Sequence, residues 1–414
     1  MPSPVNFGRA LLPLWPLDPA ITYLNHGTVG AVPKAVMAAQ AALRDEIERQ
    51  PARFLLRELT PIGRPDEAPD RALPDGPRSR LRAAAAAIAP WFGVQGNDIV
   101  FVDNATAGAN AVLASFPLRP GDEVLVTNRT YGAVSRAAAH HAARAGATVR
   151  SAHLPFPVAS EDELVDALAA ALGPRTRLAV LDHVSPETAL VMPLARLAAL
   201  CRGRGVAVLA DGAHVPGAMA LDIPSLGVDF YTGNLHKWAF SPRSAGLLWA
   251  APEHRASLHP PVISWGAGGG WIAEFDWVGT RDPTPFLCAP DGLKFIDEQL
   301  GGREALWARN HAFAREVAEQ LTHEWGLAWR TPPSMVASMV TLPLPEAHGR
   351  GAGAATQLKN QLLADAAIEA QILAIEDSAG PPGRLYWRFS AQAYNDAQDV
   401  ERFTKALAAF AGRR

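Results

Sequence analysis

Residues 229–238 read DFYTGNLHKW. They set Lys237, one of five lysines in 414 residues, between a His and a Trp, after an apolar-aromatic run. A lysine in so dry a setting loses pKa and becomes a nucleophilic amine. Asp211 stands 26 residues earlier, at the end of the apolar run VAVLADG. A carboxylate there is costly unless a cation or hydrogen-bond donors meet it. His214 follows three residues on. Two further segments repeat this form, an apolar run followed by polar residues. FVDN leads into ATAGAN, where backbone amides at a helix start and the Thr106 hydroxyl form an anion seat. EVLVTN leads into RTYG, which presents the flat ring of Tyr131.

Each residue alone has an ordinary structural reading. Thr106 serves as a helix N-cap, Asp211 caps a turn, His214 is a core histidine, and Tyr131 is a half-buried aromatic. Together they supply an anion seat, a flat ring, a buried carboxylate and an amine. Pyridoxal 5'-phosphate needs all four, because it carries a phosphate, a planar heterocycle, a pyridinium nitrogen and an aldehyde. On this reading Lys237 is the lysine that bonds the aldehyde.

The elements that must position these groups are legible as short apolar runs at 98–104, 122–128, 148–154, 177–184, 206–212, 228–234 and 245–250. Ala/Leu-rich helical patterns lie between them at 135–146, 161–173 and 193–205. Strand and helix in alternation mean a mostly parallel sheet covered on both faces. Ligands of such a sheet bind beyond the carboxyl ends of its strands, which is where the polar residues fall. After about 285 the texture changes to long helices with a few strands, an α+β unit. The expected organisation is an N-terminal arm (1–22), a large α/β domain (23–283) and a smaller domain (284–414). A Pro/Asp-rich stretch at 64–79 reads as a surface loop.

Composition narrows the function classes. Hydrophobic residues make up 49% and charged residues 19%, with a net charge of -3, so the chain is globular. No basic block points to nucleic acid. No apolar run is long enough to span a bilayer. The proline-broken N-terminus has neither a signal peptide's core nor a helix-turn-helix, so the expected location is the cytoplasm. The latter absence also argues against a DNA-binding sensor that keeps the same fold. Cys201 and Cys288 lack metal-ligand neighbours, and no metal site is expected.

The chain resembles the class V aminotransferase superfamily of fold-type I pyridoxal phosphate enzymes, and within it the isopenicillin N epimerase-like branch. The resemblance is carried by YLNHGTVGAVP (23–33), QPARFLLRE (50–58), FVDNATAGAN (101–110), LDHVSPETALVMPL (181–194), LADGAHVPG (209–217), DFYTGNLHKW (229–238), WVGTRDPT (277–284) and RFSAQAYN (388–395). It implies a large domain built on a seven-stranded sheet, with a small C-terminal domain. It implies that Lys237 carries the cofactor, Asp211 meets its pyridinium nitrogen, His214 reaches its phenolic oxygen and Tyr131 stacks on its ring. Ala105, Thr106 and Asn234 would hold the phosphate, with Gly279 and Thr280 offered by the partner of a homodimer whose site lies at the interface, and His236 would also bind the cofactor. Ser185 or Thr188 would face the cofactor. The departure at Pro186-Glu187 leaves that choice open. Arg388 resembles the arginine that clamps a substrate α-carboxylate, while Asn25 and His26 would line the substrate side.

These motifs do not separate the reactions open to such a site. Proton return to the opposite face is epimerisation, the leading expectation. Delivery to the cofactor is transamination, and loss of a β-substituent is elimination, as in the ergothioneine-pathway lyases. An epimerase needs a second proton donor besides Lys237, and His26, Tyr23 or a water are the candidates. A desulfurase that stores sulfur on a mobile cysteine is not expected, because no Cys follows Cys288.

Overall fold

The computed structural model describes residues 5–60, 79–376 and 380–411. The expected loop at 64–79 lies outside these, except for Ser79. That residue's side chain accepts the Arg82 N–H at 3.3 Å and so caps the helix Arg80–Ile88.

Seven strands form the central sheet: β1 (Ile99–Val102), β2 (Glu123–Thr127), β3 (Thr148–Ala152), β4 (Thr176–Asp182), β5 (Ala207–Asp211), β6 (Phe230–Asn234) and β7 (Gly246–Ala250). Their order is β1-β7-β6-β5-β4-β2-β3. All neighbours are parallel except that β7 runs antiparallel to both β1 and β6. The reason lies in the side chains. Val100, Val102, Val124, Val126, Leu178, Val180 and Leu209 bury on one face. Their neighbours in sequence, including Ile99, Phe101, Leu125, Leu181 and Val208, bury on the other. Strand side chains alternate between faces, so both faces are apolar and each needs a helical cover. Each fully buried Val or Leu contributes roughly 1.5–3 kcal/mol. Helices Ala105–Ser115 and Gly132–Arg144 pack together on the first face.

The C-terminal region carries a three-stranded antiparallel sheet of β8 (Met339–Pro343), β9 (Gln371–Ile375) and β10 (Arg384–Ser390), with β10 in the centre. It has its own core, in which Trp387 stacks on Phe403 at 3.8 Å between ring centroids. The N-terminal segment joins this region by backbone pairing. Thr22–Tyr23 runs parallel to Ile368–Glu369, and Asn25 bridges to Ser390. Residues 22–25 are thus paired with the C-terminal strands and not with the seven-stranded sheet.

Candidate active site

The tips of β1, β2, β4, β5 and β6 converge on one cavity of about 480 Å³. Asn104, Ala105, Thr106, Tyr131, Asp182, Asp211, His214, Asn234, His236 and Lys237 line it. Register explains the convergence, since Asp211 is the Cα partner of Asp182 on one side and of Thr232 on the other. Lys237 lies three residues past the end of β6, over the strand next to Asp211.

Lys237 is partly buried, and its amine lies 3.2 Å from Nε2 of His214. Burial first, and then the positive charge of Arg388, pull its pKa down to about 7, against the opposing pull of Asp211. The ring of His214 is buried and kept well below the ordinary histidine range by desolvation and by Lys237. Its Nδ1 has no hydrogen-bond partner. Asp211 accepts the Ala213 N–H at 3.0 Å, and burial raises its pKa.

The anion seat follows from the helix Ala105–Ser115. Asn104, not Thr106, is its N-cap, accepting the Ala107 N–H at 2.9 Å. Thr106 is therefore free of capping duty and lines the cavity. The amide of Ala105 donates to Oδ1 of Asn234 at 2.8 Å, so Asn234 fixes the helix start against β6. At Gly108 a Cβ would overlap the Thr232 hydroxyl, so glycine permits this close helix-to-strand approach. His236 donates through Nδ1 to the Ala245 carbonyl at 2.9 Å, and its pKa is lowered to about 4, chiefly by burial. Tyr131 precedes the helix Gly132–Arg144 at the cavity wall and is 49% exposed.

Several expected residues fall elsewhere. His26 is fully buried and both its nitrogens are used, Nδ1 with the Tyr394 hydroxyl at 2.8 Å and Nε2 with the Lys237 carbonyl at 3.0 Å. It is not in the cavity wall, and its Nε2 holds the Lys237 backbone from behind. Ser185 is buried outside the wall, with its hydroxyl accepting the Thr188 N–H at 3.3 Å. The Thr188 hydroxyl is also buried, without a partner, and Val184 and Pro186 take the places at the wall. Gly279 and Thr280 are not in this chain's cavity lining. Asn25 and Tyr23 line an adjoining hollow that shares Thr28 and Val29 with the cavity. Arg388 is buried behind the wall. Its guanidinium donates to the Pro186 carbonyl, to the Thr28 hydroxyl at 2.7 Å and to Oδ1 of Asn25 at 3.3 Å. Its Nε remains unpaired.

The structure also adds residues that sequence reasoning missed. Asp182 was hidden inside an apolar run, where it reads as strand. Arg243 and Ser244 line the cavity beyond Lys237, and Arg243 donates to the Gly30 carbonyl at 3.2 Å. The strap 25–30 lies directly on the lysine loop, where a Cβ at Gly30 would overlap the His236 carbonyl. No group of metal-ligating side chains occurs among the described residues. No described helix is long and apolar enough to cross a membrane.

This donor set fits pyridoxal phosphate. The unpaired Nδ1 of His214, the uncommitted Thr106 hydroxyl at a helix start, the buried Asp211 and an amine titrating near 7 match its four functional groups.

Comparison with known proteins agrees. Residues 78–403 match the family described as aminotransferase class-V. A putative L-cysteine desulfhydrase 1 of Oryza sativa subsp. japonica is 34% identical, over 94% of this chain and 83% of its own length. An isopenicillin N epimerase of Amycolatopsis lactamdurans is 32% identical, over 94% of this chain and 95% of its own. The solved structure of the cystine C-S lyase C-DES with cysteine persulfide superposes with a TM-score of 0.71 at 25% identity. That match covers 94% of this chain and 97% of the other. The chain belongs to the class V aminotransferase family, and it is an enzyme whose cofactor is pyridoxal phosphate.

Proposed function

We propose that the protein acts at Cα of an L-amino acid and eliminates a sulfur substituent from Cβ, as a C–S lyase on a cysteine-type substrate. Bound pyridoxal phosphate supplies the electron sink that makes the Cα proton acidic. Lys237 is the base that takes this proton, and its pKa of about 7 leaves a large share of the amine free near neutrality. Asp211 holds negative charge at the foot of the site, and Thr106 with Asn234 orients the phosphate end. Arg388, held behind the wall by Thr28, Asn25 and the Pro186 carbonyl, would clamp the substrate carboxylate only after those contacts part, a role that suits a planar guanidinium.

One observation carries the choice of elimination: neither side chain expected as the second proton donor, His26 or Tyr23, lines the cavity that holds Lys237. Both nitrogens of His26 are committed. Tyr23 faces the adjoining hollow, and burial pushes its pKa to about 12. One-base chemistry suits elimination, whereas epimerisation needs a donor on each face. Cys201 and Cys288 are both buried, and burial raises both thiols, to about 11 and about 12. Neither is poised to store sulfur, which favours its release into solution. The resemblance to desulfhydrases supports the same reading. The similarity to isopenicillin N epimerases supports epimerisation as a second reading. We further propose a homodimer in which Gly279 and Thr280 complete the partner's phosphate seat.

The test is to incubate the loaded enzyme with L-cysteine, S-substituted L-cysteines and a panel of other L- and D-amino acids in D₂O. Elimination gives sulfide or thiol, pyruvate and ammonia in equal amounts. Deuterated, inverted amino acid without pyruvate would replace this reading with epimerisation. A keto acid that retains the β-substituent would replace it with transamination.

A further inference from the structure

At and beyond the tip of β4, the chain gives the cavity Asp182, Val184 and Pro186, and of these only Asp182 has a polar side chain. Asp182 and Asp211 are register partners on adjacent parallel strands, so their side chains leave the sheet toward the same cavity from backbones about 4.8 Å apart. They are 6% and 3% exposed. Two carboxyl groups so close and so dry do not both ionise. Their surroundings are unequal. Asp211 accepts the Ala213 N–H and lies within the field of the Lys237 amine. Asp182 faces the charges of Asp211 and Glu187, with the Tyr131 amide and its own amide as local donors.

We propose that Asp182 is a second acid of the cofactor seat: it keeps its proton, remains neutral and presents an O–H donor inside the cavity, while Asp211 carries the negative charge. Burial first, and Asp211 second, raise the Asp182 carboxyl well above the usual carboxylate range. The other titratable groups around the pair are His214 and Lys237 beyond β5 and β6, Glu187 on the loop after β4, and Tyr231 on β6. The Tyr231 hydroxyl meets Nδ1 of His183 at 3.0 Å. His183 and His214 are held neutral near pH 7, and Tyr231 is pushed well up, so none of these three competes for the proton. With Asp182 neutral, the seat has a single anion for a single pyridinium charge. Asp182 is then a positioning residue toward the ring, and Asp211 is the counter-ion.

The test uses infrared difference spectra of the cofactor-free protein at pH 7, together with titration of pyridoxal phosphate into proteins carrying Lys237→Ala. Subtracting Asp182→Asn from wild type should reveal a protonated-carboxyl band, and the same band should persist in Asp211→Asn. Asp182→Asn, neutral and nearly isosteric, should bind the cofactor within about threefold of its parent, while Asp182→Leu and Asp211→Asn should each bind at least about tenfold more weakly. Three results overturn the proposal. The band survives in Asp182→Asn or vanishes in Asp211→Asn; Asp182→Asn binds as weakly as Asp211→Asn; or Asp182→Leu binds like the parent. Should Asp182→Asn not fold, the spectrum of Asp211→Asn still decides.

Discussion

The amine of Lys237 stands 3.2 Å from Nε2 of His214, and the opposite nitrogen of that imidazole, Nδ1, is buried with no partner. An orphaned buried donor costs about 1–3 kcal/mol. It becomes favourable once a ligand acceptor arrives. His214→Leu should therefore have opposite effects on the two forms. The cofactor-free protein gains about 1 kcal/mol while cofactor affinity falls about tenfold. Thermal unfolding of the cofactor-free variant and a spectroscopic cofactor titration check the two signs.

Capture of the cofactor requires the unprotonated amine of Lys237. Its folded pKa is depressed, from 10.5 to about 7, mainly by burial. The free amine therefore grows as pH rises through about 7 and is nearly complete two units above. The rate at which apoenzyme develops the lysine-linked chromophore should follow that curve. Stopped-flow absorbance between pH 5.5 and 9, about 1.5 units below to 2 units above this pKa, provides the measurement. A rate still climbing tenfold per unit at the upper end would return Lys237 to an ordinary lysine. Lys237→Ala should give no borohydride-reducible band and lose at least about 10²-fold in activity.

His26 couples the Tyr394 hydroxyl to the Lys237 carbonyl and packs against Trp238 at 5.0 Å between ring centroids. Replacing it with Phe fills the aromatic box but strands both oxygens, at a cost of about 2–4 kcal/mol. The pH sign also follows. Its folded pKa is lowered from 6.5 to about 4 by burial, so the unfolded chain binds the extra proton between these values. The stability is complete above pH 6.5 and is lost as pH falls toward 4, at about 1.4 kcal/mol per unit for this one group. His183 and His236 behave alike, so His26→Phe should reduce the acid slope of urea midpoints without abolishing it.

At Gly30 the backbone has φ 73°, and a Cβ would overlap the His236 carbonyl and crowd the Lys237 backbone. Gly30→Ala should cost about 1–3 kcal/mol in stability. By shifting the lysine loop it should also lower kcat/KM by up to about 10²-fold. Unchanged kinetics in a folded Gly30→Ala protein would show that the strap does not position Lys237.

The central sheet was legible because its strands are four to seven residues long and, apart from the edge strand β3, buried on both faces, a pattern that helices do not share. The 26-residue interval between Asp211 and Lys237 was legible because β5 and β6 are consecutive and adjacent. Asp182 was not, because its significance is a register with Asp211, and register appears only when strands pair. The buried contact of His26 was not legible because its hydroxyl partner, Tyr394, lies 368 residues away, and spacing along the chain carries no sign of it. Thr106 reads as the N-cap, whereas Asn104, two residues earlier, makes the capping bond. The interval 185–188 was ambiguous because the turn, not the residue types, decides which side chain reaches the wall.

The pairing of Thr22–Tyr23 with Ile368–Glu369, and of Asn25 with Ser390, sets an order on biosynthesis. The strap that backs Lys237 is made before the seven-stranded sheet, yet its docking partners at 368–369 and 390 are made only after that sheet is complete. A nascent chain can build the seven-stranded sheet and still hold an unfinished catalytic lysine loop. Competence to retain the cofactor therefore waits for the C-terminal strands, although none of them lines the cavity.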